Sequence, residues 1–178
     1  MSKNVILSEI KEGKTFKIGD MEFIKFFDEN GETVAVLKDL LFHSKFGNNN
    51  DLRSSEVIKR LNAEFLPKLA ELIGEENICT TKTDLTTLDG LKPYADMESK
   101  VSLPTLDFYR SNVEIFDKYR IKDWWWLATP ESAQPHSNPN WIVCVAPSGC
   151  VNDNFYGNYI GVRPFLRFVS SISVSSEE

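Results

Sequence analysis

Apolar residues alternate with polar ones in three short runs near the start of the chain, at residues 15–18, 22–27 and 32–37. Gly19-Asp20 separates the first two runs and Asn30-Gly31 the last two. Asn-Gly tolerates the positive φ values that a two-residue hairpin turn needs. Residues 1–40 are therefore expected to form a small antiparallel meander. The period changes after the polar string Phe46-Gly47-Asn48-Asn49-Asn50-Asp51. Between residues 54 and 73, Val57, Ile58, Leu61, Phe65, Leu66, Leu69, Leu72 and Ile73 recur at near-helical spacing. Pro67 is expected to split or kink this segment, and Gly74 to end it. Residues 78–83 have the β-branched content of a strand.

Residues 84–100 carry Asp, Gly, Pro and Lys without periodicity and read as a long surface loop. Pro104 suits the first turn of a short helix, with Ser102 or Leu103 just outside it. Further apolar runs lie at 124–127, 141–146, 150–154 and 161–169, joined by segments rich in Pro, Ser, Asn and Gly. This predicts a C-terminal β region over 124–169. Alternation across a strand would place Trp124 and Trp126 on one face and Trp125 on the other, at least one of them core. Residues 170–178 read as a flexible polar tail. Together the elements predict one α+β domain over 1–178, with strands and a helix pair packed on an antiparallel sheet.

With 42% hydrophobic residues among 178, the chain is long enough for one core and short for two. Lys and Arg number 20 against 26 Asp and Glu, a balance unlike that of proteins that neutralise phosphates, so no direct nucleic-acid contact is expected. No apolar run approaches the ~20 residues of a membrane span, and Met1-Ser2-Lys3-Asn4 leads into Val5-Ile6-Leu7 without a signal-peptide core. Three cysteines without framework spacing fit a reducing compartment. A cytoplasmic protein is expected. The charge is uneven: residues 71–117 hold ten acids and four bases, whereas the rest holds sixteen of each. That stretch reads either as solvated surface or as a dock for a basic partner, with Asp84, Asp89, Asp96 and Glu98 as candidate contacts.

Three strings in the last third of the chain resemble a known family. Trp124-Trp125-Trp126-Leu127-Ala128-Thr129-Pro130, a turn at Ser148-Gly149 and Gly161-Val162-Arg163-Pro164-Phe165 are similar to family 6273 of the domains of unknown function, found in Gram-positive bacteria, their prophages and other mobile elements. Members typically show a W-W-L-R-S-P block and a terminal G-V-R-P. The resemblance implies a C-type-lectin-like domain with antiparallel strands, a helix pair and long irregular loops, distantly like the sulfatase-modifying enzymes and phage variable proteins. Two other strings, Phe46-Gly47-Asn48-Asn49-Asn50-Asp51-Leu52-Arg53 and residues 102–110, also look like phage-encoded relatives. Ala128-Thr129 stands where the family has Arg-Ser, so an ion pair made by that Arg is absent here. Arg163 is expected to hold loop carbonyls and fix the last strand, a structural role shared with Trp124 and Trp126. Pro164 should sit at a strand edge or bulge.

Signatures of chemistry are sparse. His43 and His136 lie far apart without catalytic context, and no nucleotide-binding, serine-hydrolase or metalloprotease string is present. No catalytic residue, metal ligand or cofactor is assigned. Cys144 and Cys150 flank a turn and could face one another across a hairpin; the copper chemistry of the sulfatase-modifying enzymes is the remote reading, and small thiols in or near the core the plain one. What remains is a surface made of residues 129–140, with Pro130, Pro135, His136, Asn138 and Pro139, and of residues 151–160, with Asn152, Asp153, Asn154, Phe155, Tyr156, Asn158 and Tyr159. Tyr supplies contact area at small entropic cost and Asn supplies donors and acceptors. The leading expectation is a non-enzymatic protein-binding module of a phage or mobile element, in its sharpest form an inhibitor of a host defence nucleoprotein complex, whose basic groove an acidic face would enter. A receptor- or carbohydrate-binding tip of a phage particle is the alternative. Calcium-dependent sugar binding is disfavoured, because Glu131 and Asp153 are the only carboxylates in these loops.

Overall fold

The structure is a computed structural model that describes residues 3–136 and 139–176. The first strand, β1, covers Lys3–Ile6. Strands β2 (Thr15–Ile18), β3 (Met21–Glu29) and β4 (Glu32–Leu37) form the meander, with Ile18 opposite Met21 and Glu29 opposite Glu32. Asn30 and Gly31 adopt φ of 52° and 78°, the left-handed pair that matches the twist of a two-residue hairpin. A short β5 (Phe42–Ser44) follows.

Helix α1 (Glu56–Arg60) begins at Ser55, whose Oγ accepts from the Ile58 N–H at 3.0 Å. A π turn over Leu61–Phe65 leads directly into α2 (Leu66–Ile73). The helical run is continuous, but it divides into two α-helices at the π turn that ends just before Pro67, in keeping with the expected split; Pro67 itself occupies the first turn of α2. Gly74 ends the rod at φ 84°.

The run at 78–83 is two strands rather than one. Strand β6 (Ile78–Cys79) joins a large sheet, and β7 (Thr81–Thr83) pairs with β8 (Met97–Ser99) in a separate hairpin. Residues 84–100 are therefore not wholly loop. Helices α3 (Leu106–Ser111) and α4 (Val113–Lys118) come next. Thr105 caps α3, and Pro104 lies outside the helix, its carbonyl accepting from the Ala128 N–H at 2.8 Å. A cap oxygen satisfies an orphan N–H, which a proline cannot do.

Strands β9 (Trp125–Pro130), β10 (Trp141–Val145), β11 (Val151–Phe155), β12 (Ile160–Val162), β13 (Phe165–Val169) and β14 (Ser173–Ser176) complete the chain. One sheet has the order β1-β14-β2-β3-β4-β13-β6 and the other β11-β10-β9-β12-β5. All pairs are antiparallel except β9 with β12. The expected single strand at 161–169 divides at Arg163-Pro164, where the chain leaves one sheet for the other. Pro164 donates nothing, and its carbonyl accepts from the Leu37 N–H at 2.9 Å. The expected tail is also corrected: residues 173–176 pair with β1 and β2, Ser170 and Val174 are buried, and residues 177–178 lie outside the described residues.

Each sheet lends one face to each of two cores. Phe23, Ala35, Trp126, Ile142 and Cys144 join the rod residues Val57, Leu61 and Leu69 in the first. Ile24, Val34, Trp125, Val143 and Val145 join Leu106, Tyr109 and Phe116 of α3 and α4 in the second. Trp124 and Trp126 serve the first core and Trp125 the second, so both faces of β9 are core. The architecture is α+β with mostly antiparallel sheets.

Candidate partner-binding surface

Three polar loops meet at one end of the five-stranded sheet, and Asn50 ties them together. Its side chain is fully buried. Nδ2 donates to the carbonyls of Ser132 at 2.8 Å and Trp141 at 3.1 Å, while Oδ1 accepts from the Tyr94 hydroxyl at 2.6 Å. The Asn50 N–H donates to the Pro139 carbonyl at 3.0 Å. Beside it Arg53 pairs with Asp51 at 2.8 Å and lies over the Tyr94 ring. Asn50, within the Asn-rich string, is thus a buried fastening.

Asp89 makes a second junction between the same loops. It accepts from Thr87 Oγ1 at 2.5 Å and Ser132 Oγ at 2.6 Å, and His136 Nδ1 lies 2.8 Å from it. The Ser132 and Thr87 hydroxyls, then His136, hold this carboxyl well below the usual carboxylate range. Ser, His and Asp meet here in a wiring that cannot activate the serine. Ser132 is buried and donates its hydrogen bond to the carboxylate, and His136 also faces that carboxylate, so the imidazole is not bonded to the serine as in a triad.

The other acids singled out from sequence stand around Lys82. Asp84 accepts from the N–H and hydroxyl of Thr86. Asp96 pairs with Lys82 at 3.3 Å, and Glu98 stands opposite the same lysine in the β7–β8 register. Elsewhere in the acidic stretch Glu75 pairs with Lys100, Asp107 with Arg110 and Asp117 with Arg120. Asp84, Asp96 and Glu98 thus share the neighbourhood of Lys82, while Asp89 is held by Thr87, Ser132 and His136.

A different surface gathers exposed aromatic rings and unpaired carboxylates. Trp141 opens β10 at 43% exposure, and Tyr159 is 69% exposed beyond β11. Trp141 meets Phe155 edge-on at 6.0 Å, and Phe155 lies 4.2 Å from Tyr156. The Glu131 N–H donates to the Trp141 carbonyl at 3.0 Å, which makes the two residues backbone neighbours across the β9–β10 end. Burial, together with Asp153 and Asp89, raises the Glu131 pKa. Among the described residues neither Glu131 nor Asp153 has a cationic partner.

Strand β11 is the edge of its sheet, and residues 151–155 are strand rather than loop. The hydrogen-bonded pairs of the β10–β11 hairpin include Asn140 with Tyr156 and Ala146 with Cys150; alternation then turns the N–H groups of Asp153 and Phe155 toward the free edge. Those groups are occupied. Asn152 Oδ1 accepts from the Asp153 N–H at 2.8 Å, and Asn154 Oδ1 from the Phe155 N–H at 3.0 Å. The two asparagines blunt the edge against strand addition, which leaves side chains to make contacts.

Cys144 is buried opposite Asn152, whereas Cys150 is exposed opposite Ala146, so the two thiols are not a facing pair. Among the described residues no group of His, Cys, Asp and Glu could hold a metal ion. Arg163 is 1% exposed and donates to the carbonyls of Leu37 and Lys38, both at 2.8 Å, beneath the rings of Phe116 and Trp125. Asn138 lies outside the described residues. Sequence reasoning missed Asn50 and Trp141; the alternation of polar Asn140 with Trp141 at a strand start was the available sign of the latter. No described helix is long and apolar enough to cross a membrane. Protein-family models, curated proteins and solved structures yield no match to the chain.

Proposed function

We propose that the protein is a non-catalytic binding module that takes an arginine- or lysine-bearing segment of a partner protein on the surface of Trp141, Phe155, Tyr156 and Tyr159, with Glu131 and Asp153. The observation that carries this reading is an exposed Trp141 whose backbone neighbour Glu131 lies within electrostatic reach of Asp153, with no cationic partner for either carboxylate among the described residues. A guanidinium suits both features, stacking on the ring and offsetting the burial and the neighbouring Asp153 charge that together raise Glu131. The capped edge supports recognition by side chains over strand addition. Loops fastened at Asn50 and Asp89 hold the surface in place before binding, which reduces the entropy lost on association.

In its full form the reading is that of a phage or mobile-element protein with a C-type-lectin-like frame, acting in the bacterial host on a basic nucleic-acid-binding protein of a defence complex. The convergence of long loops at one end supports such a frame, and the carboxylate pair supports a basic partner. Trp fluorescence titrated with a blocked tetra-arginine peptide tests the surface. Saturable quenching is expected, weakened about tenfold or more in Trp141→Ala and in Glu131→Gln. Equal response to tetra-glutamate, or unchanged binding in both variants, would refute it.

A further inference from the structure

Of the six arginines in the chain, five stand within ion-pair distance of a carboxylate: Arg53, Arg60, Arg110, Arg120 and Arg167. All five are at least partly exposed. The sixth, Arg163, is 1% exposed and has no carboxylate partner among the described residues. That is the reverse of what solvation asks, because water stabilises an exposed cation while a buried one needs a counter-charge. Arg163 Nε and Nη2 donate to the carbonyls of Leu37 and Lys38. Its Nη1 has no acceptor among the described residues, yet it is not fully shut from solvent. Arg163 lines a small cleft between α4 and the 146–149 turn, with Asp117, Arg120, Ala146 and Gly149 around it.

We propose that this cleft holds a chloride ion against the guanidinium of Arg163. The charges around it leave a net positive site. Asp117 spends its charge on Arg120 at 2.8 Å. Asp39 is the carboxylate whose charge reaches Arg163, and it does so without an ion pair. A second guanidinium borders the same cleft: a Cβ built on Gly149 would meet Arg120 Nε at 3.3 Å, and Asp117 Oδ1 at 3.1 Å. Size then selects the anion. The cleft measures about 10 Å³, which admits one particle of roughly water size and leaves no room for a phosphate, a sulfate or a carboxylate side chain. A water molecule would satisfy the Nη1 donor and leave the buried charge uncompensated, whereas a halide does both. This site is separate from the surface around Trp141, and neither reading depends on the other.

Chloride NMR linewidths of sodium chloride solutions containing the full chain test the proposal, together with anomalous diffraction from crystals soaked in sodium bromide. A protein-dependent excess width that saturates with chloride and is suppressed by bromide is expected, as is a bromide peak against Arg163 Nη1. Arg163→Met should weaken the binding about tenfold or more, in line with a lost charge-assisted hydrogen bond. Ala146→Leu, which fills the cleft and leaves Arg163 in place, should do the same and decides the matter if the methionine variant does not fold. Arg110→Met, at an exposed and paired arginine outside the cleft, should leave the width as it is. Circular dichroism and urea unfolding establish which variants are folded. No saturable excess width, a width unchanged in the folded cleft variants, or crystals in which the density at Arg163 is water without a bromide signal would each overturn the proposal.

Discussion

Replacing Asn50 with alanine removes three side-chain hydrogen bonds at once, and they are not equal. The Trp141 carbonyl also accepts from the Glu131 N–H, so it keeps a partner. Tyr94 is half-buried and its hydroxyl regains some hydration. The Ser132 carbonyl bears the main loss, since a buried acceptor left alone costs about 1–3 kcal/mol while a satisfied bond nets about 1 kcal/mol. With a small cavity added, Asn50→Ala should cost about 3 kcal/mol, a large part of the ~5–15 kcal/mol that holds an ordinary domain. Tyr94→Phe strands the buried Asn50 Oδ1 and should cost about 1–3 kcal/mol. Asn50→Asp is the sharper perturbation, because it turns a carboxylate toward two carbonyl oxygens; its deficit should exceed that of alanine at pH 7 and shrink as acid restores a donor. Urea unfolding followed by circular dichroism measures all three, and hydrogen exchange of the 131–141 amides reports the local fastening. An Asn50→Ala loss below about 0.5 kcal/mol, the scale of an ordinary surface change, would refute the reasoning.

One thiol per native chain should react promptly with Ellman's reagent, because Cys150 is exposed while burial pushes Cys144 up to about 12 and Cys79, beside Glu32, up to about 11; two prompt thiols would contradict this. Arg163→Met should cost about 3 kcal/mol in urea unfolding by stranding the Leu37 and Lys38 carbonyls, and Arg163→Lys less. Burial lowers the guanidinium pKa to about 10, so part of that cost is returned by no longer burying a charge, and a methionine variant as stable as the parent would show the carbonyls find other donors. Because the folded Asp89 pKa lies below its unfolded value, its contribution is present above the ordinary carboxylate range and is lost as pH falls; the stability gap between parent and Asp89→Asn should close from about pH 5 toward pH 2, and a constant gap would refute it. Changing Asn152 and Asn154 together to valine frees two edge N–H groups and should produce concentration-dependent association in sedimentation velocity, whereas a monodisperse variant would show the caps are dispensable.

The meander, the rod and the alternation of the tryptophans were legible because each follows a local rule: Asn-Gly at a hairpin, apolar spacing near 3.6, side chains alternating along a strand. What escaped depended on distant partners. Strands β9 and β10 are apolar on consecutive positions because both faces are core, so their sequence carries length but not orientation. The division at Arg163-Pro164 follows from Leu37 and Lys38, more than a hundred residues away. Lys25 shows the same limit: inside an apolar run it reads as an outward position, yet it is buried and donates to the carbonyls of Leu7 and Ser8. The last residues looked like a tail because Ser-rich sequence lacks apolar period, while their register is set by β1.

The candidate surface was half legible for a related reason. Phe155, Tyr156 and Tyr159 stood out by residue type, but type alone does not separate polar groups that recognise from those that fasten. Asn50, Asn152, Asn154 and Asp89 all have oxygens engaged within the chain, and such groups offer a partner little, since each new bond would replace an old one. Glu131 and Asp153 differ. Among the described residues neither has a cationic partner, and burial followed by the Asp153 charge raises the Glu131 pKa. A repulsion maintained next to an exposed Trp141 is a cost in the free protein that a bound cation removes. That difference between engaged and unengaged carboxylates, rather than the density of acids along the chain, is the reason the proposed contact is drawn at the β10–β11 end instead of the 84–100 segment.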